Sequence, residues 1–245
     1  MILRRMILHR HDVVTSTSDL VKEMADAGAP EWTTVVARSQ TEGRGRMSRR
    51  WHSPRGNLFV SVLLRPDILP SELPRMSILT ALAVFTALDG GNVPLNLKWP
   101  NDILLDNRKI AGVLLEGRTR NDRVEFVVAG MGINLTLDRS SFPADLRDKI
   151  ASFHEVDAEL TIDDLLSRLE IGLDKYSSSF RGAAWDEARS EFINHSDLER
   201  GYISPDANGS LRGRPVDMTV DGCLVIDTGK GLVTVRSDGL ADGVS

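Results

Sequence analysis

Apolar residues recur along the chain in two spacings, and the switches between them mark out its elements. In "VVTSTSDLVKEMADAG" a cluster of hydroxyls runs into Leu20, Val21, Met24 and Ala25 at helical spacing. This predicts a helix from near Ser18 to Gly28 with the hydroxyls just ahead of its N-terminus. "WTTVVARS" reads as a β-branched strand that feeds directly into a loop rich in arginine and glycine. "GNLFVSVLLRP" then reads as a buried strand stopped by Pro66. From Leu73 to Leu88 the chain is apolar almost all round, the pattern of a helix packed against a sheet. "LNLKWPNDILLDNRKIAGVLLEG" predicts a strand into Pro100, a second strand Ile103 to Leu105, a turn at Asp106 and Asn107, and a third strand from Ile110 to Leu115. "RVEFVVAGMGINL" adds a strand whose end carries Gly130, Gly132 and Asn134.

Thr136 to Glu159 is polar and interrupted by Pro143, and is expected to be a surface connection with room for one short helix. Thr161 and Asp164 are spaced as a capping box for a helix carrying Leu165, Leu166, Leu169, Leu173 and Tyr176. A shorter helix is expected around Trp185 to Phe192. Beyond about Asn194 the texture changes to short β-like runs between Gly, Asp and Asn turns. Hairpin-linked strands outnumber helices, so the expected class is α+β with a mixed, largely antiparallel sheet. The predicted division is a main unit over 1–193 and a small all-β unit over 194–245.

Composition narrows the chemistry. At 245 residues, 41 % hydrophobic and 27 % charged, the chain is of ordinary soluble character. The apolar runs of "MILRRMILHRH" are short and broken by arginines, unlike a signal peptide, and no later run is long enough to span a bilayer. A cytoplasmic location without membrane association is expected. Cys223 is the only cysteine, which excludes an internal disulfide and a cysteine-based zinc site. The histidines, His9, His11, His52, His154 and His195, show no metal-ligand spacing, so no protein-held metal is expected.

Against a formal net charge of −5, "EGRGRMSRRW" places Arg44, Arg46, Arg49 and Arg50 among Gly43 and Gly45. A solvated charge run is the plain alternative. Glycines between the arginines favour a device that lets guanidinium forks and backbone N–H groups close on phosphate or carboxylate. The loop lacks the G-x-x-x-x-G-K-[ST] pattern, and "GMGINL" lacks the following helix and acid of a dinucleotide fingerprint.

Three separated stretches, "GRGRMSRRW" at 43–51, "KWPNDILLDNRKIAG" at 98–112 and "GMGIN" at 130–134, resemble in order and spacing the signatures of biotin protein ligases. The resemblance is strong over Val13 to Leu135; the later helices and β-rich tail agree only in layout. It implies a catalytic domain of the biotin/lipoate ligase type, similar to class II aminoacyl-tRNA synthetases, followed by a small SH3-like domain. It further implies that biotin and ATP give biotinyl-AMP and pyrophosphate, after which a lysine of a biotin carboxyl carrier domain takes the biotin. Mg2+ is expected with the ATP. The short stretch before Ser16 implies the monofunctional type without a DNA-binding domain, as a monomer or homodimer.

By the same resemblance, Arg44 and Arg46 contact the biotin carboxylate and the phosphates, and Lys109 bridges that carboxylate and the α-phosphate. Trp51 offers a face to adenine, with Asn134 opposite. Gly112 permits close ligand approach, and Gly130 and Gly132 keep the sheet end open, although strand-end turns account for these glycines as well. Ser16, Thr17 and Gln40 meet the ureido ring, which has one acceptor and two donors to satisfy, with helix capping as the alternative for the two hydroxyls. In the "KWPND" turn, Asn101 precedes Asp102, which can hold the acceptor ammonium and take its proton; Lys98 is either structural or touches phosphate. Two positions depart from the family pattern: Ser48 stands where glycine is usual, and Thr136 where a second asparagine is frequent. A lipoate or octanoate ligase or transferase is the nearest rival, and a non-enzymatic binder of biotin or nucleotide is the rival from another class. The polar trio Ser16, Thr17 and Gln40 argues against the first, because an aliphatic acyl chain has no use for it.

Overall fold

The computed structural model describes residues 5–89, 93–179, 183–196, 202–206, 209–236 and 241–243. Among them run twelve strands and four α-helices. The main sheet holds seven strands in the order β1-β2-β3-β7-β6-β5-β4, namely β1 Ile7–Val14, β2 Thr33–Gln40, β3 Leu58–Leu64, β4 Leu95–Lys98, β5 Asp102–Leu105, β6 Arg108–Arg120 and β7 Arg123–Ile133. β1 and β2 are parallel and every other neighbouring pair is antiparallel. The mixed α+β architecture is the one the patterning predicts.

Alternation along the strands divides the core between two faces. Val60, Val62, Val127 and Ala129 pack with α2, Leu73–Leu88, whose Ile78, Leu82 and Leu88 are fully buried. Val35, Leu63, Phe126 and Val128 face the other way, onto Val21 and Ala25 of α1, Thr17–Asp26. α2 needs apolar residues all round because α3, Ile162–Ser177, covers its outer side with Leu165, Leu166, Leu169 and Leu173. The α3 capping box is formed: the Asp164 amide donates to Thr161 Oγ1 at 3.1 Å, and the Thr161 amide to Asp164 Oδ2 at 3.3 Å. α4 spans Ala183–Asn194.

Some elements differ from the expectation. β1 has no counterpart in the sequence reading, because an edge strand paired on one side only buries Val14 alone and leaves no apolar alternation to detect. β6 runs to Arg120 instead of Leu115, its polar end held by β7 across a turn at Asn121 and Asp122, both in the left-handed region. The 136–159 connection carries two short 3-10 turns, Arg139–Ser141 and Phe153–Glu155. Within it, His154 ties the chain down through Thr136 Oγ1 and the Leu160 carbonyl, both at 3.0 Å, so the hydroxyl of Thr136 serves the scaffold.

The C-terminal strands, β8 Tyr202–Asp206, β9 Gly209–Met218, β10 Leu224–Asp227, β11 Leu232–Val235 and β12 Ala241–Gly243, form a second sheet in the order β12-β11-β10-β9-β8, antiparallel throughout. Met218, Leu224, Ile226 and Val235 join the same apolar core as α2 and the main sheet. Trp99 Nε1 donates to the Gly222 carbonyl at 3.1 Å, and Arg189 to the Met218 carbonyl. No helix among the described residues is long and apolar enough to cross a membrane.

Candidate active site

A cavity of about 870 Å³ opens over the end of the main sheet where β2, β6 and β7 meet the N-terminus of α1. Every site residue expected from the sequence lines it except Gly43, which stands behind the wall. A Cβ on Gly43 would lie 2.5 Å from Ser53 Oγ and 2.5 Å from the Trp51 carbonyl, so only glycine lets the loop base close there.

One end of the cavity is a chain of small polar groups. Gln40 Oε1 accepts from the Thr17 amide at 2.8 Å and from Thr17 Oγ1 at 3.1 Å, which places a β2 side chain at the first turn of α1. Ser16 is the N-cap residue, yet its side chain makes no capping bond and lines the cavity. Capping therefore does not account for Ser16, and Gln40 does the work at the adjacent amide. Gln40 Nε2 donates to Ser53 Oγ at 3.0 Å, which in turn donates to the Trp51 carbonyl at 3.1 Å. On the other side Thr17 Oγ1 lies 2.7 Å from Ser61 Oγ, and Ser61 Oγ 3.0 Å from Ser18 Oγ. Ser18, Ser53 and Ser61 were not anticipated. The signal for Ser61 was present, a lone hydroxyl in the otherwise apolar "LFVSVLL" of β3.

The arginine loop is a tight hairpin. Arg44 and Arg50 bridge antiparallel, the Gly45 amide donates to the Arg49 carbonyl at 2.7 Å, and Met47 and Ser48 at the tip have φ of 55° and 57°. That left-handed backbone favours glycine, and Ser48 holds it at some cost in strain. Arg44 reaches across to Asp19 in a bidentate pair at 2.7 and 2.6 Å and to Glu116 at 3.4 Å, while Lys22 closes the group at 2.7 Å from Glu116. The Arg44 hydrogen bonds hold the Asp19 carboxyl below the usual carboxylate range, and the Asp19 bond holds the Arg44 guanidinium above its ordinary value. Arg46 donates to Asn101 Oδ1 at 3.2 Å, and Asn101 Nδ2 donates to the Val113 carbonyl at 2.5 Å, which fixes the "KWPND" turn on β6. Lys98, at the end of β4, also lines the cavity.

At the far end Gly112 and Gly132 face each other across β6 and β7, and the Trp51 indole lies on them. A Cβ on Gly132 would sit 2.5 Å from Trp51 Cε2, and one on Gly112 3.1 Å from Cζ3. Lys109 Nζ stands 5.0 Å from the indole centroid and 2.6 Å from Asp102 Oδ1, so one ammonium touches a ring and a carboxylate together. Trp51 Nε1 is buried with no hydrogen-bond partner among the described residues. Asn134 is buried and donates to the Ala151 carbonyl at 3.1 Å, tying the sheet end to the 136–159 connection. Gly130 leaves room for Ser18, whose Oγ a Cβ there would meet at 2.8 Å.

The site thus joins a hydroxyl and amide end, a cationic middle and an indole floor. The model of the biotin/lipoate A/B protein ligase family matches residues 11–134, the stretch that carries nearly all of these groups. The chain belongs to this family. The bifunctional ligase/repressor BirA of Bacillus subtilis is 32 % identical over 232 residues, covering 93 % of this chain and 71 % of that protein. The biotin--[acetyl-CoA-carboxylase] ligase of Paracoccus denitrificans is 41 % identical over 104 residues, 41 % of this chain and 43 % of its own length. In three dimensions the biotin protein ligase of Aquifex aeolicus, solved with biotin and ATP, superposes with a TM-score of 0.78 at 25 % identity, covering 97 % of this chain and 99 % of that one. The family fold extends beyond the matched motifs to both sheets.

Proposed function

We propose that the protein is an ATP-dependent biotin protein ligase that activates biotin as biotinyl-AMP and transfers it to a lysine of a biotin carboxyl carrier domain. The observation that carries this reading is the order of chemistries along one cavity: donors and acceptors for a ureido ring, then fixed cations, then a flat ring. In the first step the biotin carboxylate attacks the α-phosphorus, an O–P bond forms, and the bond to the β-phosphate oxygen breaks to release pyrophosphate. Two anions approaching to 4 Å repel by about 4 kcal/mol at an effective dielectric near 20. Arg46 and Lys109 offset that repulsion and stabilise charge as it grows on the phosphoryl oxygens.

Arg44 takes a different part from the one the resemblance implies. Its bidentate pair with Asp19 and contact with Glu116 support a role as the anchor that holds the hairpin over the cavity. Lys109 exchanges partners, leaving Asp102 for the carboxylate and α-phosphate. Asp102, so released, receives the ammonium of the acceptor lysine and takes its proton. The amine attacks the acyl carbon, an N–C bond forms, and AMP leaves as the C–O bond breaks. Trp51 and the Gly112–Gly132 floor carry the adenine, with Asn134 holding that end of the sheet.

No three His, Cys, Asp or Glu side chains among the described residues converge on one point, so no residue is assigned to Mg2+, which accompanies the triphosphate as part of that substrate. We assign residues 1–193 to the ligase unit and 194–245 to a small β unit that closes one wall through Pro215 and Leu224. The absence of a membrane-crossing helix among the described residues is compatible with a cytoplasmic location. The test is incubation with labelled biotin, ATP and a biotin carboxyl carrier domain. Label on the carrier lysine, dependent on ATP, is expected. Exchange of pyrophosphate with lipoate or octanoate and none with biotin would overturn the substrate.

A further inference from the structure

An ammonium that must leave one partner and meet another needs a fixed backbone to swing from, and β7 does not hold Lys109. β7 pairs with β6 only as far as Ala111 opposite Ile133. At Lys109 its place is taken by the irregular stretch around Ile150, which bridges Lys109 in parallel. The Lys109 amide donates to the Lys149 carbonyl at 2.8 Å, and the Lys109 carbonyl accepts from the Ala151 amide at 3.0 Å. This stretch lies outside every helix and strand, so side chains must fasten it. Glu155 does so with both oxygens. Its Oε1 accepts from the Ser152 amide at 3.0 Å, one residue past Ala151, and its Oε2 lies 2.8 Å from Arg108 Nη2, one residue before Lys109. The contacts close a ring through Arg108, Lys109, Ala151, Ser152 and Glu155. Ala151 is fully buried, so its amide has no water to take in place of the Lys109 carbonyl. Neither Glu155 nor Arg108 lines the cavity, so any effect they have on the chemistry passes through Lys109.

We propose that Glu155 and Arg108 are positioning residues for Lys109: their ion pair pins the 149–151 stretch to the start of β6 and fixes the backbone from which the ammonium is aimed. This rests on the ligase reading above, in which Lys109 meets the biotin carboxylate and the α-phosphate. A partly exposed ion pair adds little to overall stability, so its loss is felt in the aim of Lys109 more than in melting. Aim matters because a displacement of about 1 Å at a reacting group can cost roughly a hundredfold in rate.

The experiment is biotin-dependent pyrophosphate exchange by the full chain. Glu155→Ala and Arg108→Ala are each made alone and together with Lys109→Ala, and thermal unfolding of every variant is followed. Each change alone is expected to lower kcat about tenfold, with the KM for biotin and for ATP within threefold of the unaltered chain. Added to Lys109→Ala, each should move the residual rate by less than twofold, because no ammonium remains to be aimed. An unchanged kcat would overturn the proposal. So would a further tenfold loss on top of Lys109→Ala, which marks a merely structural part. If Glu155→Ala does not fold, Arg108→Ala decides on the same criteria, since Glu155 then keeps its bond to the Ser152 amide. An unaltered chain that exchanges no pyrophosphate with biotin overturns the ligase reading itself, a result separate from any difference among variants.

Discussion

Replacing Gly132 with alanine tests the floor of the site most directly. The new Cβ would lie 2.5 Å from Trp51 Cε2 and 2.8 Å from Cζ2, where carbon atoms ordinarily rest about 3.5–4 Å apart. The indole must therefore retreat by roughly 1 Å. Lys109 Nζ lies 5.0 Å from the ring centroid, so displacing the ring also disturbs that contact. Overpacking of this kind costs about 1–3 kcal/mol, and loosening the cation–π contact adds about 0.5–1 kcal/mol. If the hairpin moves as a body, part of that cost is avoided, so a net loss near 1.5–3 kcal/mol is expected, or roughly tenfold to hundredfold in ATP affinity. Calorimetric titration with a non-hydrolysable ATP analogue measures this, and titration with biotin serves as the control. Biotin affinity should hold within threefold, since its polar contacts lie at the opposite end. ATP affinity within twofold of the unaltered chain would refute the nucleotide platform built on Trp51.

Three further outcomes are expected. Lys109→Ala should lower the rate of adenylation by at least a hundredfold while biotin binding stays measurable by calorimetry; adenylation at the original rate would remove Lys109 from the first step. Asp102→Asn should leave pyrophosphate exchange within about threefold yet slow transfer to the carrier lysine by tenfold or more, because only the second step needs its carboxylate; equal loss in both steps would place Asp102 elsewhere. Asp19→Asn should speed amide hydrogen exchange across 43–51 at neutral pH. The hydrogen bonds from Arg44 depress the Asp19 carboxyl in the folded state, so the stabilisation is present above the ordinary aspartate range near pH 4 and is lost as pH falls through the lowered value. The unaltered loop should therefore loosen in acid and the variant should not; identical exchange in the two proteins at neutral pH would exclude the anchor.

Much of the scaffold was legible because its signals are local. The all-round apolar run of α2, the Thr161–Asp164 box and the turn at Asp106 and Asn107, with φ of 46° and 66°, each follow from a few adjacent residues. β1 was not, since it pairs with β2 only across the intervening α1 and its outward residues carry charge in place of alternation. The site divides in the same way. Glycines and cations within a motif announce themselves, and Gly112 and Gly132 do sit under one indole. The partners of Arg44 are single acids on α1 and β6, 25 and 72 positions away, and no sequence pattern links them. Ser61 sits midway, visible as an anomaly in β3 but without meaning until Thr17 and Ser18 are seen beside it.

The two sheets have no separate interiors, since Met218, Leu224, Ile226 and Val235 rest in the same apolar mass as Ile78 and Leu82. Heating should consequently dissolve them in one calorimetric endotherm instead of two. A chain cut short of those four side chains would expose oily surface on the larger part, and should clump or be digested long before any question of catalysis arises.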